Sequence, residues 1–500
     1  MAGRTSKQTV GALPDATADS PFAPVALTWL VWSLFAASLA ALVARVRLGF
    51  APELPGVFAV DGLTVLLWVV VAFFAGVVLS YSRRYMAGDA HETEFSLAVS
   101  GFAAIVMTLV AADHVVLFGL LWLAMGLVMA ELIGTVDEWE QARTAASVAR
   151  RYFVASSALL GVALAALWWA TGATTISGVA ANADALGGPV WLVAAVALVL
   201  AAMIQSALVP FHGWLLSSMT APTPASALMH AGFVNAGGVL LLRFAPVVTV
   251  DGTLMLAIVA VGATSALLGK LLKATRPDVK SKLACSTVGQ MGFMIMQAGL
   301  GFFGAAITHL VLHGFYKAYH FLGAGGEVER TTPGKKAGRS TGGSGLVDVV
   351  VTLATGLAGG AAFVLLTGKG ASADTGLLLA LFVTFTTLHA ARGTVRNASL
   401  PASVRYGAVP LVFLPAIAVY ALVYEAISAV LSGLPVVTAP TELSALHALV
   451  AAVFLAAYVA IEAGVHERSR RLYVALLNAG QPSPDTLLTN AEEYDDGGVQ

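Results

Sequence analysis

One cysteine, Cys285, is all that 500 residues contain. No disulfide framework and no cysteine-based zinc cage can be built from it, and it leaves the redox compartment unread. Charge is equally scarce: Asp, Glu, Lys and Arg make up 11% of the chain, against roughly 25% in ordinary soluble domains. The formal net charge is −1, and the basic residues fall in short clusters rather than along one stripe, which excludes a nucleic-acid partner. The chain has no GxxxxGK[ST] phosphate loop and no dinucleotide fingerprint in a strand-helix setting, so neither ATP nor NADH chemistry is expected within it. No cofactor is expected in this chain, and energy for any work must come from a gradient or a partner. What fills the sequence is hydrocarbon. With 58% hydrophobic residues and a mean hydropathy of +0.84, it reads as an all-α polytopic membrane protein.

A spanning helix needs about 20 mostly apolar residues. Fourteen segments qualify: 24–46, 57–81, 95–112, 115–135, 152–171, 189–210, 223–249, 253–273, 283–300, 302–323, 346–367, 375–395, 406–432 and 443–465. The first follows a polar tail of about 22 residues and suits an uncleaved anchor better than a signal peptide. Basic clusters follow nearly every second segment: Arg83 and Arg84; Arg143, Arg150 and Arg151; Arg276, Lys280 and Lys282; Arg330, Lys335, Lys336 and Arg339; Arg396 and Arg405; Arg468, Arg470 and Arg471. The alternate side carries only Arg45, Arg47, Arg243 and Lys369. By the positive-inside rule both termini are expected in the cytoplasm, which requires an even number of spans. The expected organisation is a cytoplasmic tail at 1–23, a transmembrane region at 24–324, a glycine-rich charged cytoplasmic loop at 325–345, C-terminal transmembrane helices at 346–466 and a cytoplasmic tail at 467–500. The acidic end, from about 480, is expected to lack fixed structure, a docking strand being the other reading.

Ionisable groups at membrane depth are costly and by default mark an ion or proton path. His309, His313, Lys317 and His320 occur together in AAITHLVLHGFYKAYHFLGAG. On a helix they share a stripe roughly 80° wide and roughly 16 Å long. Imidazoles exchange protons near neutral pH, and a buried ammonium can switch charge when a neighbouring charge moves. Snorkelling to the headgroups would account for Lys317 and His320, but not for His313 and His309, one and two turns deeper than Lys317. The His-x3-His spacing also fits a metal pair, yet no carboxylate or cysteine in the run supplies a third ligand. No metal is expected there.

The stretch from Gln205 to Arg243 reads QSALVPFHGWLLSSMTAPTPASALMHAGFVNAGGVLLLR. Pro210 closes the sixth segment, Pro222 and Pro224 straddle the start of the seventh, and Gly232, Gly237 and Gly238 loosen its continuation. An interrupted helix, with backbone groups freed for ions or water, is one reading, and an ordinary kink filled by neighbours is the other. His230 is either a relay member or a hydrogen-bonded packing residue. Glu131 could neutralise a cation across the bundle or be solvated near a helix end. Asp61 opens the second segment and can satisfy its helix N-terminus. His389 and Arg392 fit an exit to the cytoplasm or an anchor. Lys270, Lys273, Lys280 and Lys282 read mainly as an orientation signal.

Three stretches, VPFHGWLLSSMTAPTPASALMHAG, PDVKSKLACSTVGQMGFM and ITHLVLHGFYKAYHFLGAG, resemble the proton-conducting membrane transporter superfamily. That superfamily includes the antiporter-like subunits of respiratory complex I and the large subunits of multisubunit sodium/proton antiporters. The resemblance covers roughly residues 57–325 and implies two inverted five-helix repeats, each with a broken helix, and a chain of lysines, histidines and waters along the midplane. By motif position it marks His230, His309, His313 and Lys317 as relay members. Gln205 stands where the respiratory subunits carry a lysine. Leu123 follows Trp122 where they carry a glutamate, and Glu131, two turns later, is the candidate substitute. Within the superfamily the chain most resembles the DabB membrane subunits of the DAB inorganic-carbon accumulation system. That likeness implies a DabA-like partner, a zinc carbonic-anhydrase-like subunit that hydrates CO2 and holds the only zinc, driven by protons or sodium moving through the membrane subunit. A cation/proton antiporter, a respiratory proton-pumping subunit and a scaffold with a decayed relay are the alternatives.

Overall fold

In hydrocarbon every backbone N–H and C=O must find its partner inside its own segment, so long apolar runs fold as helices. The computed structural model describes residues 22–330, 345–395 and 401–486. Its long helices are α1 (Phe22–Leu48), α2 (Gly62–Tyr85), α3 (Glu92–Ala111), α4 (Val115–Ile133), α5 (Glu140–Thr171), α6 (Gly188–Gln205), α7 (Thr223–Ala231), α8 (Ala236–Arg243), α9 (Gly252–Ala274), α10 (Val279–Gly299), α11 (Phe303–Arg330), α12 (Leu346–Thr367), α13 (Gly376–Val395), α14 (Val409–Leu431), α15 (Ala445–Glu462) and α16 (Arg470–Ala479). A two-residue antiparallel ribbon, Glu53–Leu54 with Phe58–Ala59, joins α1 to α2.

Among the described residues eleven helical segments are long and apolar enough, by length and composition, to cross a membrane, with Thr223–Arg243 counted as one. The other three expected segments also fall on helices, α10, α11 and α15, but do not meet that standard. α15 is apolar and short, and α10 and α11 carry the polar residues of the site described below. The count of fourteen is therefore an expectation that composition alone does not meet.

Three boundaries differ from the sequence reading. Residues 1–21 lie outside the described residues, and α1 begins at Phe22. The loop expected at 325–345 starts later, because α11 runs on to Arg330; residues 331–344 lie outside the described residues. The tail expected at 467–500 contains α16, which docks on the bundle. The Arg276 guanidinium donates to the Leu477 carbonyl (2.6 Å), His212 Nε2 meets the Ala479 carbonyl (3.0 Å), and the Ser483 N–H donates to Ser217 (2.9 Å). Part of the segment from 480 expected to lack structure is thus held by hydrogen bonds, while 487–500 lie outside the described residues.

The interruption expected in the seventh segment is present. α7 stops at Ala231, Gly232 leaves helical geometry (φ −120°, ψ −69°), Phe233–Asn235 form a 3-10 turn, and α8 resumes the path. Asn235 donates to the Ala231 carbonyl at 2.8 Å, satisfying a group that the break sets free. In the second half the irregularity is a π-helical turn, Val404–Ala408, leading into α14, which contains Pro415.

α9 and α10 meet backbone to backbone. A Cβ on Gly269 would lie 2.2 Å from the Gly289 nitrogen, and one on Gly262 would lie 2.5 Å from the Met296 nitrogen. Small residues at such a crossing allow the close van der Waals contact that replaces the hydrophobic effect between helices in lipid. The contact fixes α10, whose first turn is capped by Asp278 accepting from the Ser281 N–H (2.7 Å) and tied to the start of α7 by Lys280 donating to the Ala221 carbonyl (3.0 Å).

Candidate functional site: a buried polar column

Leu283, in the first turns of α10, contributes only its carbonyl. That oxygen accepts from the hydroxyl of Thr287 one turn later (3.0 Å) and from Nζ of Lys317 on α11 (2.7 Å). With its proton committed to Leu283, Thr287 Oγ1 can offer only a lone pair to Nδ1 of His230 on α7, 2.9 Å away. In that arrangement His230 carries its proton on Nδ1 and Nε2 is an acceptor; in the other tautomer the Thr287 hydroxyl donates to Nδ1. Nε2 is buried without a hydrogen-bond partner, and the ring lies flat on Phe321 (4.3 Å between centroids, 15°). Three helices are joined in this way through one carbonyl and one hydroxyl.

Lys317 and His230 are both fully buried. None of the ion pairs among the described residues includes Lys317. An ammonium held by a carbonyl, without a carboxylate, is poorly compensated for lost hydration, whereas the neutral amine suits the apolar wall. One turn further along α11, buried His313 stacks on His309 (5.6 Å, 18°), and Nε2 of each ring is buried without a partner. His309 in turn lines a cleft of about 810 Å³, whose wall includes Lys270, Gln290, His389, Tyr420 and Tyr458. Lys270 Nζ sits 3.8 Å over the Tyr458 ring, and His389 meets the same ring edge-on (5.7 Å, 84°). Space of that size, its mainly apolar wall set with these polar groups, can hold a chain of waters at about 30 Å³ each.

Of the eight residues singled out from the sequence, His230, His309, His313 and Lys317 form the column, and His389 faces the cleft into which it opens. His320 lies outside it, half-buried between the rings of Tyr316 and Tyr319 (4.4 and 5.4 Å). Gln205 is fully buried at the end of α6 with neither amide atom hydrogen-bonded, so no direct bond joins it to His230. Glu131 is exposed and pairs with Arg150 at 2.5 Å, which matches the solvated helix-end reading. Asp61 caps α2 by accepting from the Thr64 N–H (2.9 Å) and also pairs with Arg243, which donates to the Val110 carbonyl (2.7 Å). Leu283 and Thr287 were not legible as site residues. A leucine advertises no polarity, and a helical threonine commonly bonds only its own preceding turn.

Two family models match the chain. Residues 112–348 match the membrane domain described as NADH:quinone oxidoreductase/Mrp antiporter, and residues 53–96 match the N-terminus of chain 5 of NADH-ubiquinone oxidoreductase, complex I. Together they take in more than half of the chain. Over those residues the chain is similar to the membrane subunits that the two models describe. It is 41% identical to the "Probable inorganic carbon transporter subunit DabB1" of Halothiobacillus neapolitanus over 233 residues, 45% of this chain and 41% of that one. It is 38% identical to NADH-quinone oxidoreductase subunit L of Mycobacterium tuberculosis over 231 residues, 45% of this chain and 36% of that one. The matched region therefore spans about two fifths of the length of these relatives. A chain in the structure of the Mrp complex from a Dietzia species shares the fold, with a TM-score of 0.57 at 24% identity, over 92% of this chain and 50% of that chain.

Proposed function

We propose that the chain is a proton- or sodium-conducting subunit of the cell membrane that couples a cation gradient to inorganic-carbon accumulation. In this reading both termini are cytoplasmic, and CO2 is hydrated by a zinc-bearing, carbonic-anhydrase-like partner on that side. The observation that carries the conduction reading is the buried set of titratable side chains Lys317, His230, His313 and His309 leading to the cleft, with the Leu283 carbonyl and the Thr287 hydroxyl holding Lys317 and His230 in place. The likeness to the DabB subunits supports the coupling.

An antiporter or respiratory subunit is the second reading, and the match to subunit L favours it. Against it stand Gln205 and Leu123 at the positions of the expected lysine and glutamate, and the surface pairing of Glu131. Purification at native expression, with zinc measured in the co-purifying subunits, separates the two. A zinc-bearing partner with CO2-dependent activity supports the first reading, and a redox or antiporter assembly replaces it with the second. Imposing a sodium gradient without a pH gradient, and the reverse, then identifies the cation.

A further inference from the structure

The column ends at the cleft, and none of its residues leads on toward the face where α10 turns into α11. α14 supplies a set of groups that does. Tyr420, Tyr424 and Ser428 recur every fourth residue, on one side of the helix, and rise about 12 Å along it. Tyr420 lines the same cleft as His309. Tyr424 is 1% exposed, and its hydroxyl lies beside Ser428 and Thr438. Ser428 borders Gly304 in the first turn of α11, where an added Cβ would meet Oγ at 2.8 Å. This is the end at which the Ala439 N–H donates to the Gly301 carbonyl (2.8 Å), so the hydroxyls climb from the cleft to the α10–α11 turn. Across from them Gln297 of α10 is fully buried and faces Tyr420, with neither amide atom closing a hydrogen bond. Burying an amide with both ends unpaired is costly. Packing alone gives no reason for four polar groups along this line.

We propose that Tyr420, Gln297, Tyr424 and Ser428 form the outer half of the conduction path, carrying protons between the cleft at His309 and the face where α10 turns into α11. Each hydroxyl accepts a proton on its oxygen and releases its own to the next oxygen or bridging water, so no group keeps a net charge. Gln297, which cannot exchange its protons readily, is a positioning residue. The proposal rests on the conduction reading above.

The test uses the full chain with its co-purifying subunits in vesicles, read by a pH-sensitive dye. Tyr420→Phe and Tyr424→Phe remove one oxygen and keep each ring, and each is expected to lower proton flux by about tenfold, roughly 1.4 kcal/mol on the barrier. In a Cys285→Ala background that conducts, Ser428→Cys is expected to react with a membrane-impermeant thiol reagent from the α10–α11 face. That reaction should block flux until a reductant is added, which loss of packing would not mimic. If Lys317→Ala abolishes flux while both phenylalanine variants conduct within about twofold of the parent and the modified cysteine leaves flux intact, the outer half runs elsewhere. If Lys317→Ala itself conducts normally, the conduction reading fails, and this path fails with it.

Discussion

Thr287 is the smallest change that separates a relay from a packing contact. Thr287→Val keeps the shape of the side chain and leaves His230 Nδ1 without its hydrogen-bond partner, a loss of about 1–3 kcal/mol for a buried polar group. The expected outcome is a folded protein whose proton flux falls by about tenfold, with Thr287→Ser restoring it, as read in vesicles by a pH dye. Outside the membrane segments, His91 tests electrostatics of a plainer kind. Its ring bonds Asp89 (3.0 Å) and approaches Asp137 and Glu138 (3.5 and 3.7 Å), joining the loop before α3 to the loop before α5. The Asp89 hydrogen bond, helped by the charges of Glu138, Asp89 and Asp137, raises the His91 pKa above its ordinary value of 6.5. A raised folded-state value means stability that is complete below about 6.5 and lost as pH climbs through the folded value. Thermal unfolding followed across that window should show a decline that His91→Ala flattens; equal slopes in the two proteins would count against the link.

At the scale of elements, the α9–α10 crossing positions the relay, because α10 carries both Leu283 and Thr287. Gly269→Ala would push a methyl into the Gly289 backbone, and separating the helices costs about 1–3 kcal/mol. A lower melting temperature and reduced flux are expected together, and a stable, fully active Gly269→Ala protein would show that the crossing has slack. Much of this level was legible in the sequence. Apolar runs announced the helices, and Pro222, Pro224 and Gly232 announced the break in the seventh, since proline and glycine act through the backbone wherever they stand. The stripe on α11 was legible too, because histidine and lysine are conspicuous in hydrocarbon. Backbone contributions were not, and neither were hydroxyls that ordinary helices also bury. The Leu283 carbonyl and the α14 hydroxyls belong to those classes, and only three-dimensional neighbours distinguish them.

For the molecule as a whole, docking of α16 places a C-terminal helix on the end of α10 nearest the relay. Leu476 is buried with Leu216, Leu272, Ala284 and Cys285, the last two lying between Leu283 and Thr287 in sequence. The sequence reading placed 467–500 in a cytoplasmic tail, lacking fixed structure from about 480, and did not show the docking of 470–479 because the contacts that hold it are mostly to carbonyls, which every sequence has. Arg276→Ala removes the charged donor to Leu477, and limited proteolysis should then cut more readily between Arg468 and Arg471. Unchanged cleavage would mean that Leu476 and His212 hold the helix unaided.

Proton flux through vesicles containing the native assembly, compared with Lys317→Met, tests the buried relay most directly. Methionine fills the lysine's space and cannot carry a proton. Correctly assembled protein should lose flux by at least about tenfold, whereas flux equal to the parent's would contradict proton passage through Lys317.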